Sequence, residues 1–108
     1  MQPRLTAGLR VAALLRRMDL LGRGAYVVHR GDETAGALAL SVVRPGGGAE
    51  LWAQEYDFDS DSRPWVMQAS GAPRDIDAAI ARQRATDPDL WVIELELPDG
   101  MAVQDLAV

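Results

Sequence analysis

The segment that most constrains the fold is residues 87–97, which read DPDLWVIELEL. The proline at its second position forces the residue before it out of helical geometry. The alternate apolar positions Trp91, Ile93, Leu95 and Leu97 then share one face, which is the period of two expected for a strand. The segment follows an amphipathic helix, so we expect it to pair into a sheet formed by earlier strands, with Trp91 in the core.

The length and composition narrow the class of protein. A chain of 108 residues is long enough for a single domain, placed at residues 1–108, to bury about 60 to 70% of its unfolded surface. It contains no cysteine, which excludes thiol chemistry and is typical of a reducing compartment. No stretch has the length of a membrane span or the pattern of a signal peptide. We therefore expect a cytoplasmic protein with no structural metal and no cofactor.

The charges are distributed unevenly along the chain. Residues 1–30 carry six arginines and one acidic residue, whereas the remainder carries five arginines and fifteen acidic residues. The net charge of −5 disfavours non-specific binding to nucleic acid. A nucleic-acid role through the arginines of the first helix is therefore the least favoured of the functions considered.

An N-terminal helix is predicted over residues 7–21, capped by Thr6 and ended by Gly22 or Gly24. Its core-facing stripe consists of Ala7, Val11, Leu14, Leu15, Met18 and Leu21. The opposite side carries a second apolar ridge, called here the outer ridge, which consists of Leu9, Ala13 and Leu20. A helix with two apolar faces usually has a second contact. We expect either a second copy of the chain or residues 101–108 to cover the outer ridge.

Four segments between the helices have the composition of strands, at residues 25–30, 37–44, 49–56 and 64–69. The loop GDETAG between the first two is short enough to predict an antiparallel hairpin. A second helix is predicted over residues 73–85, with proline in its first turn. The order α-β-β-β-β-α-β predicts an α+β fold in which two helices pack on a largely antiparallel sheet of about five strands.

Four of these pieces resemble a known family when they are taken together. They are RLTAGLRVAALLRRM at residues 4–18, RGDETAGAL at 30–38, the strand with Trp65, and ARQRATDPDLWVIELEL at 81–97. They resemble an alphaproteobacterial family called domain of unknown function 1491, and the resemblance covers nearly the whole chain up to Leu97. It implies a small bacterial domain with no known activity, so it supplies no site residues.

An acidic segment, DFDSDS, has part of the pattern of a calcium-binding loop. Asp57, Asp59 and Asp61 occupy its first, third and fifth positions. The sixth position is Ser62 where glycine is required, and the twelfth is Gln68 where a bidentate glutamate is required. We predict a solvated loop here and no calcium site.

Three further features have more economical explanations than catalysis. The RGD tripeptide is predicted to form a turn, in which Gly31 allows a positive φ and Asp32 accepts hydrogen bonds from the turn. His29 is the sole histidine and has no nucleophile nearby in the sequence. Glu94 and Glu96 share one strand face, as an acid and base pair would, but a solvent-facing strand explains them at least as well. No catalytic residue is predicted.

Two functional hypotheses follow from different classes of protein. The leading one is a non-catalytic module that binds a protein partner or its own copy as a homodimer. Its candidate surface is Leu9, Ala13, Arg16, Arg17 and Leu20. The alternative is a small enzyme or a binder of an anionic small molecule. Its candidate cluster is Arg16, Arg17, Arg30 and Glu94.

Overall fold

A computed structural model describes residues 5–106, in which a five-stranded sheet lies between two α-helices. The elements in chain order are α1 (Ala7–Leu20), β1 (Ala25–His29), β2 (Leu38–Val43), β3 (Ala49–Gln54), β4 (Trp65–Gly71), α2 (Pro73–Thr86), β5 (Trp91–Glu96) and a short 3-10 helix, Val103–Leu106. The predicted α+β class and element order are confirmed. Within the described residues, no helix is long and apolar enough to cross a membrane.

Helix α1 begins and packs as its sequence predicts. The hydroxyl oxygen of Thr6, which has extended backbone geometry, accepts a hydrogen bond from the backbone N–H of Leu9 at 3.3 Å, which is the geometry of an N-cap. The buried face consists of Ala7, Val11, Leu14 and Met18. Leu21 was predicted to join that face, but it is 40% exposed. Leu21 is the C-cap of the helix, and its backbone N–H still donates to the carbonyl oxygen of Arg17 at 3.1 Å, so its exposure belongs to the end of the helix and not to a change of helical period.

The order of strands in the sheet is β1-β5-β2-β3-β4, and the predicted hairpin between β1 and β2 is wrong. Strand β5 lies between them, antiparallel to β1 and parallel to β2. The reason is that β5 is apolar on both faces: Val92, Ile93 and Leu95 are all fully buried. Such a strand belongs in the interior of a sheet, between two neighbouring strands. The β1 residues alternate between half-buried and exposed, which suits an edge.

Each face of the sheet carries its own core. Leu14 and Met18 of α1 pack with Ile93 and Leu95 on one face, and Trp91, at 2% exposure, belongs to the same cluster. On the other face, α2 contributes Ile76, Ala79 and Ile80, which pack with Leu51, Val92 and their neighbours. The predicted inner face of β5 and the burial of Trp91 are therefore confirmed.

The C-terminal segment does not cover the outer ridge. Val103 and Leu106 are buried in the α1-side core, in the cluster that includes Trp65. The Arg44 guanidinium donates to the carbonyl oxygens of Pro98 at 2.9 Å and Met101 at 2.7 Å. These hydrogen bonds hold the C-terminal segment on the α1 side of the sheet. That covering is excluded for the described residues 101–106, and positions 107 and 108 lie outside them.

The RGD turn forms, but the reason for glycine at position 31 differs from the predicted one. The Asp32 carboxylate accepts from the backbone N–H groups of Thr34 at 3.2 Å and Ala35 at 2.7 Å, as predicted. Gly31 does not have a positive φ, so that part of the prediction is wrong. Glycine is required because a Cβ there would lie 2.1 Å from the carbonyl oxygen of Asp89.

Candidate functional site

The outer ridge is open to solvent on the side of α1 that faces away from the sheet. Leu9 is 58% exposed and Leu20 is 72% exposed. Ala13, Arg16 and Arg17 are exposed as well. The predicted interaction residues therefore share one accessible surface. Helical spacing places them on one side of α1 and the core residues on the opposite side.

The profile of this surface is uneven along the helix. A leucine stands near each end, at positions 9 and 20, and the exposed alanines Ala12 and Ala13 lie between them. Arg16 occupies the same stripe one turn further on, with an apolar stem and a charged tip. Small residues between large ones leave a depression into which a long side chain from another helix can fit.

The four residues of the predicted anion cluster do not form one site. Glu94 is two residues from Val92 along β5, so the two side chains lie on the same face of the sheet. Val92 packs against α2 on that face. The sheet therefore separates Glu94 from Arg16 and Arg17, which belong to α1 on the other face. Arg30 lies at the end of β1, with its guanidinium 3.5 Å from the Glu33 carboxylate and 5.4 Å from the Trp91 ring centroid.

The surface around Glu94 is acidic. The Tyr26 hydroxyl donates to its carboxylate at 2.5 Å. This hydrogen bond, together with partial burial and the negative charges of Glu94, Asp77 and Glu96, raises the pKa of Tyr26. A surface with this charge would repel an anion.

A cleft of about 610 Å³ opens where β2 begins and β3 ends. One wall is the first turn of α1 together with the loop before β2, and the other is the last turn of α2 with Leu90. We call it the end cleft. Its polar lining consists of Thr6, Arg10, Thr34, Gln54, Arg63, Gln83 and Asp87. The floor includes Leu38, Ala53 and Leu90.

Gln54 connects the two arginines of the end cleft. Its side-chain oxygen accepts from Nη2 of Arg10 at 2.5 Å, and its side-chain amide donates to the backbone carbonyl of Arg63 at 3.0 Å. The pair could not be recognised from the sequence, because Arg10 lies in α1 and Arg63 in the loop before β4, 53 positions later. Only the position of the β3 terminus brings them together.

The acidic loop uses its carboxylates internally. Asp57 accepts from the backbone N–H of Asp59 at 3.0 Å and from the Ser60 hydroxyl at 2.9 Å. The hydrogen bond from Ser60, aided by the one from the Asp59 backbone, lowers the pKa of Asp57. Across residues 5–106, no three histidine, aspartate or glutamate side chains are grouped so that they could hold a metal ion.

Comparisons with known proteins agree with this architecture. The family model described as "Protein of unknown function (DUF1491)" matches residues 5–105. A crystal structure of a DUF1491 family protein from Caulobacter crescentus CB15 is 38% identical with a TM-score of 0.83, over 91% of this chain and 92% of that one. An NMR structure of a DUF1491 family protein from the same organism is 35% identical with a TM-score of 0.80, over 93% and 92%.

A third solved structure is similar over the same extent. The solution structure of a protein from A. tumefaciens is 28% identical with a TM-score of 0.79, over 96% of this chain and 92% of that one. No curated protein matches the chain. The similarities therefore support the fold and leave the activity to be argued from the surface.

Proposed function

This chain belongs to the DUF1491 family of proteins of unknown function, and we propose that it is a non-catalytic interaction module that pairs with a second copy of itself through the outer ridge. The observation that carries the proposal is the exposure of Leu9 and Leu20, at 58% and 72%. Both belong to a helix whose other face already packs on the sheet. Two leucines on one exposed stripe are a surface that association with another chain would remove from water.

The outer ridge is complementary to itself. When two α1 helices cross antiparallel on a two-fold axis, Leu9 meets the partner's Leu20 and Ala13 meets the partner's Arg16. Leucine side chains then contact each other at both ends of the interface, and the long Arg16 side chain packs over the small Ala13 near its centre. A two-fold interface requires this kind of self-complementarity, because the same patch serves both copies.

The outer ridge is small compared with the surfaces buried in stable dimers. One face of a 14-residue helix offers less than the roughly 1,200 to 2,000 Å² buried in standard stable interfaces. We therefore expect a weak dimer that dissociates on dilution, with a Kd on the order of micromolar or above.

Sedimentation equilibrium over about 10 to 500 μM protein tests the proposal, since mass action populates a weak dimer only at the upper end. The parent should approach dimer mass with concentration, and Leu20→Glu should stay monomeric. Phe58→Glu is the matched control, because Phe58 is 88% exposed and lies outside the outer ridge. Both variants should melt close to the parent, since exposed substitutions change stability by about 0.5 kcal/mol or less.

Two results would reject self-association through α1. One is a parent that remains monomeric at every concentration. The other is a Phe58→Glu variant that dissociates the dimer as fully as Leu20→Glu does, which would place the interface elsewhere or show that added charge alone is responsible.

A further inference from the structure

We infer that the end cleft binds a small organic oxyanion, with a carboxylate or phosphate group held between Arg10 and Arg63 and a short apolar body against the floor. This inference concerns a surface distinct from the outer ridge and stands independently of self-association. The volume of about 610 Å³ is typical of clefts that hold small molecules.

The shape of the end cleft follows from where the helices stop. The first turn of α1 approaches the sheet end from one face, and the last turn of α2 approaches it from the other. Between them the sheet terminates in the apolar side chains of Leu38, Ala53 and Leu90, of which Leu38 and Leu90 are buried. A ligand there would contact a lining that is about half polar, with its apolar part at the end of the sheet.

The charge of the lining selects the class of ligand. Arg10 and Arg63 are its cations, and among the described lining residues Asp87 is the one carboxylate. The Asp87 carboxylate accepts from the backbone N–H of Asp89 at 3.1 Å, which commits it to the turn before β5. In a chain of net charge −5, this lining has more positive than negative groups. A guanidinium can hold a carboxylate or phosphate by two parallel hydrogen bonds.

Arg63 would not have to break an ion pair within the described residues to bind a ligand. Its guanidinium lies 5.9 Å from the Tyr56 ring centroid, and within residues 5–106 it has no ion-pair partner. Arg10 is the more fixed of the two, because it donates to Gln54. Gln54 is therefore a positioning residue for the Arg10 guanidinium and for the backbone of Arg63, and such support reduces the cost of ordering Arg10 on binding.

The first turn of α1 does not supply the anion-binding groups itself. The backbone N–H of Ala7 donates to the carbonyl of Thr34 at 3.1 Å, and that of Gly8 donates to the carbonyl of Glu33 at 2.9 Å. The loop before β2 thus occupies the donors that a helix N-terminus would otherwise offer. Binding should depend on the arginine side chains.

The first test compares four probes of equal chain length by NMR titration of backbone amides: octanoate, octyl phosphate, octylammonium and octanol. At least one anion should shift the amides of Ala35–Leu38 and Ala53, and the better anion identifies the head group. Octylammonium and octanol should bind at least about tenfold more weakly, because the ammonium has no acceptor and the hydroxyl is a neutral one. Absence of anion binding up to about 5 mM, a very weak affinity, or equal binding of octylammonium, would overturn the inference.

The second test uses variants of the full chain. Arg63→Gln should weaken binding of the better anion about tenfold, the loss expected for one charged hydrogen-bonding group. Arg74→Gln is the matched control, because Arg74 is an exposed arginine of α2 outside the lining, and it should bind like the parent. Equal weakening in the two variants would show that net charge and not the end cleft is responsible.

Arg10→Gln provides an independent check at the other side of the cleft. It should weaken the same probe in the same direction, and its melting temperature shows whether the loss of the Gln54 contact has disturbed the fold. A folded Arg10→Gln variant that binds as tightly as the parent contradicts the placement of the anion between the two arginines.

Discussion

Trp91 donates a hydrogen bond from its indole Nε1 to the backbone carbonyl oxygen of Asp32 at 2.7 Å, across 59 residues of sequence. The backbone N–H of Asp32 in turn donates to the carbonyl of Asp89 at 3.0 Å. The loop after β1 is therefore bonded in both directions to the start of β5. These hydrogen bonds hold the start of β5 against the loop that forms part of one wall of the end cleft.

Trp91→Ala should lower the free energy of unfolding by about 3 to 5 kcal/mol, the usual cost of deleting a large aromatic side chain from a core. Trp91→Phe should cost less, because it keeps most of the ring packing and loses the bond to Asp32, worth about 1 to 3 kcal/mol when the carbonyl is left unpaired. Urea unfolding of both variants measures the difference. A Trp91→Ala variant that melts within a couple of degrees of the parent contradicts the burial of the ring.

Gly36→Ala should destabilise the chain by about 1 to 3 kcal/mol, the usual cost of forcing an extra methyl group into a packed site. A Cβ at position 36 would lie 2.5 Å from the carbonyl oxygen of Asp89 and 2.7 Å from that of Asp32. Both are backbone atoms that cannot rotate away. Gly48→Ala is the control, since no heavy atom lies within 4 Å of its added Cβ, and it should leave thermal stability nearly unchanged or slightly raised. Equal losses in the two variants would contradict the role given to the backbone contacts at position 36.

Glu50 gives the fold a pH-dependent contribution. Its carboxylate lies 3.1 Å from the Arg44 guanidinium, with both side chains largely buried, and also accepts from the Trp52 indole at 2.9 Å. Burial acts to raise the pKa of Glu50, but hydrogen bonds from Arg44 and Trp52 and the charge of Arg44 outweigh it and hold the pKa below its ordinary value. The resulting stability is fully present above the unfolded pKa of about 4.3 and is lost as pH falls through the lowered folded pKa.

Glu50→Gln should therefore cost about 1 to 3 kcal/mol at pH 7, as expected for losing hydrogen bonds to a charged group. The gap between parent and variant should narrow below pH 4.3 or so, where the glutamate becomes protonated in the parent. Denaturant unfolding at several pH values measures it. Glu33→Gln serves as the control, because the Arg30–Glu33 pair is exposed and should contribute under about 1 kcal/mol. A gap that stays constant from pH 7 to 3 would contradict the role given to Glu50.

Local patterns were sufficient to predict the elements and most of their buried faces. The period of 3.6 in α1 and the period of two in β5 depend only on neighbouring residues, so Leu14, Met18, Trp91 and Ile93 were assigned correctly. The pairing of strands was not local. The short loop after β1 favoured a hairpin, but inserting β5 buries Val92 and Ile93 on opposite faces, and that burial outweighs a favourable turn.

The candidate surfaces also differ in whether local sequence patterns are enough to predict them. The outer ridge lies on one helix, so its residues could be grouped from helical spacing alone. The residues of the predicted anion cluster do not meet, because α1 packs on the face of β5 opposite to Glu94. The strand pattern cannot specify which face α1 covers. The end cleft needs α1, β3 and α2 to end near one another, and this depends on sheet order. A single sequence carries no direct signal of that order.

The final prediction tests the β1–β5 pairing through Tyr26, which lies opposite Glu94 in the register of the two strands. The hydrogen bond to the Glu94 carboxylate favours the neutral phenol and raises its pKa above the ordinary value of about 10. Glu94→Gln should lower the pKa of Tyr26 towards that value, whereas Glu96→Gln, which removes only a more distant charge, should lower it less. The chain has two tyrosines, so absorbance titration in a Tyr56→Phe background isolates Tyr26. A hairpin between β1 and β2 would remove Tyr26 from its position opposite Glu94, and Glu94→Gln would then shift the titration no more than Glu96→Gln does.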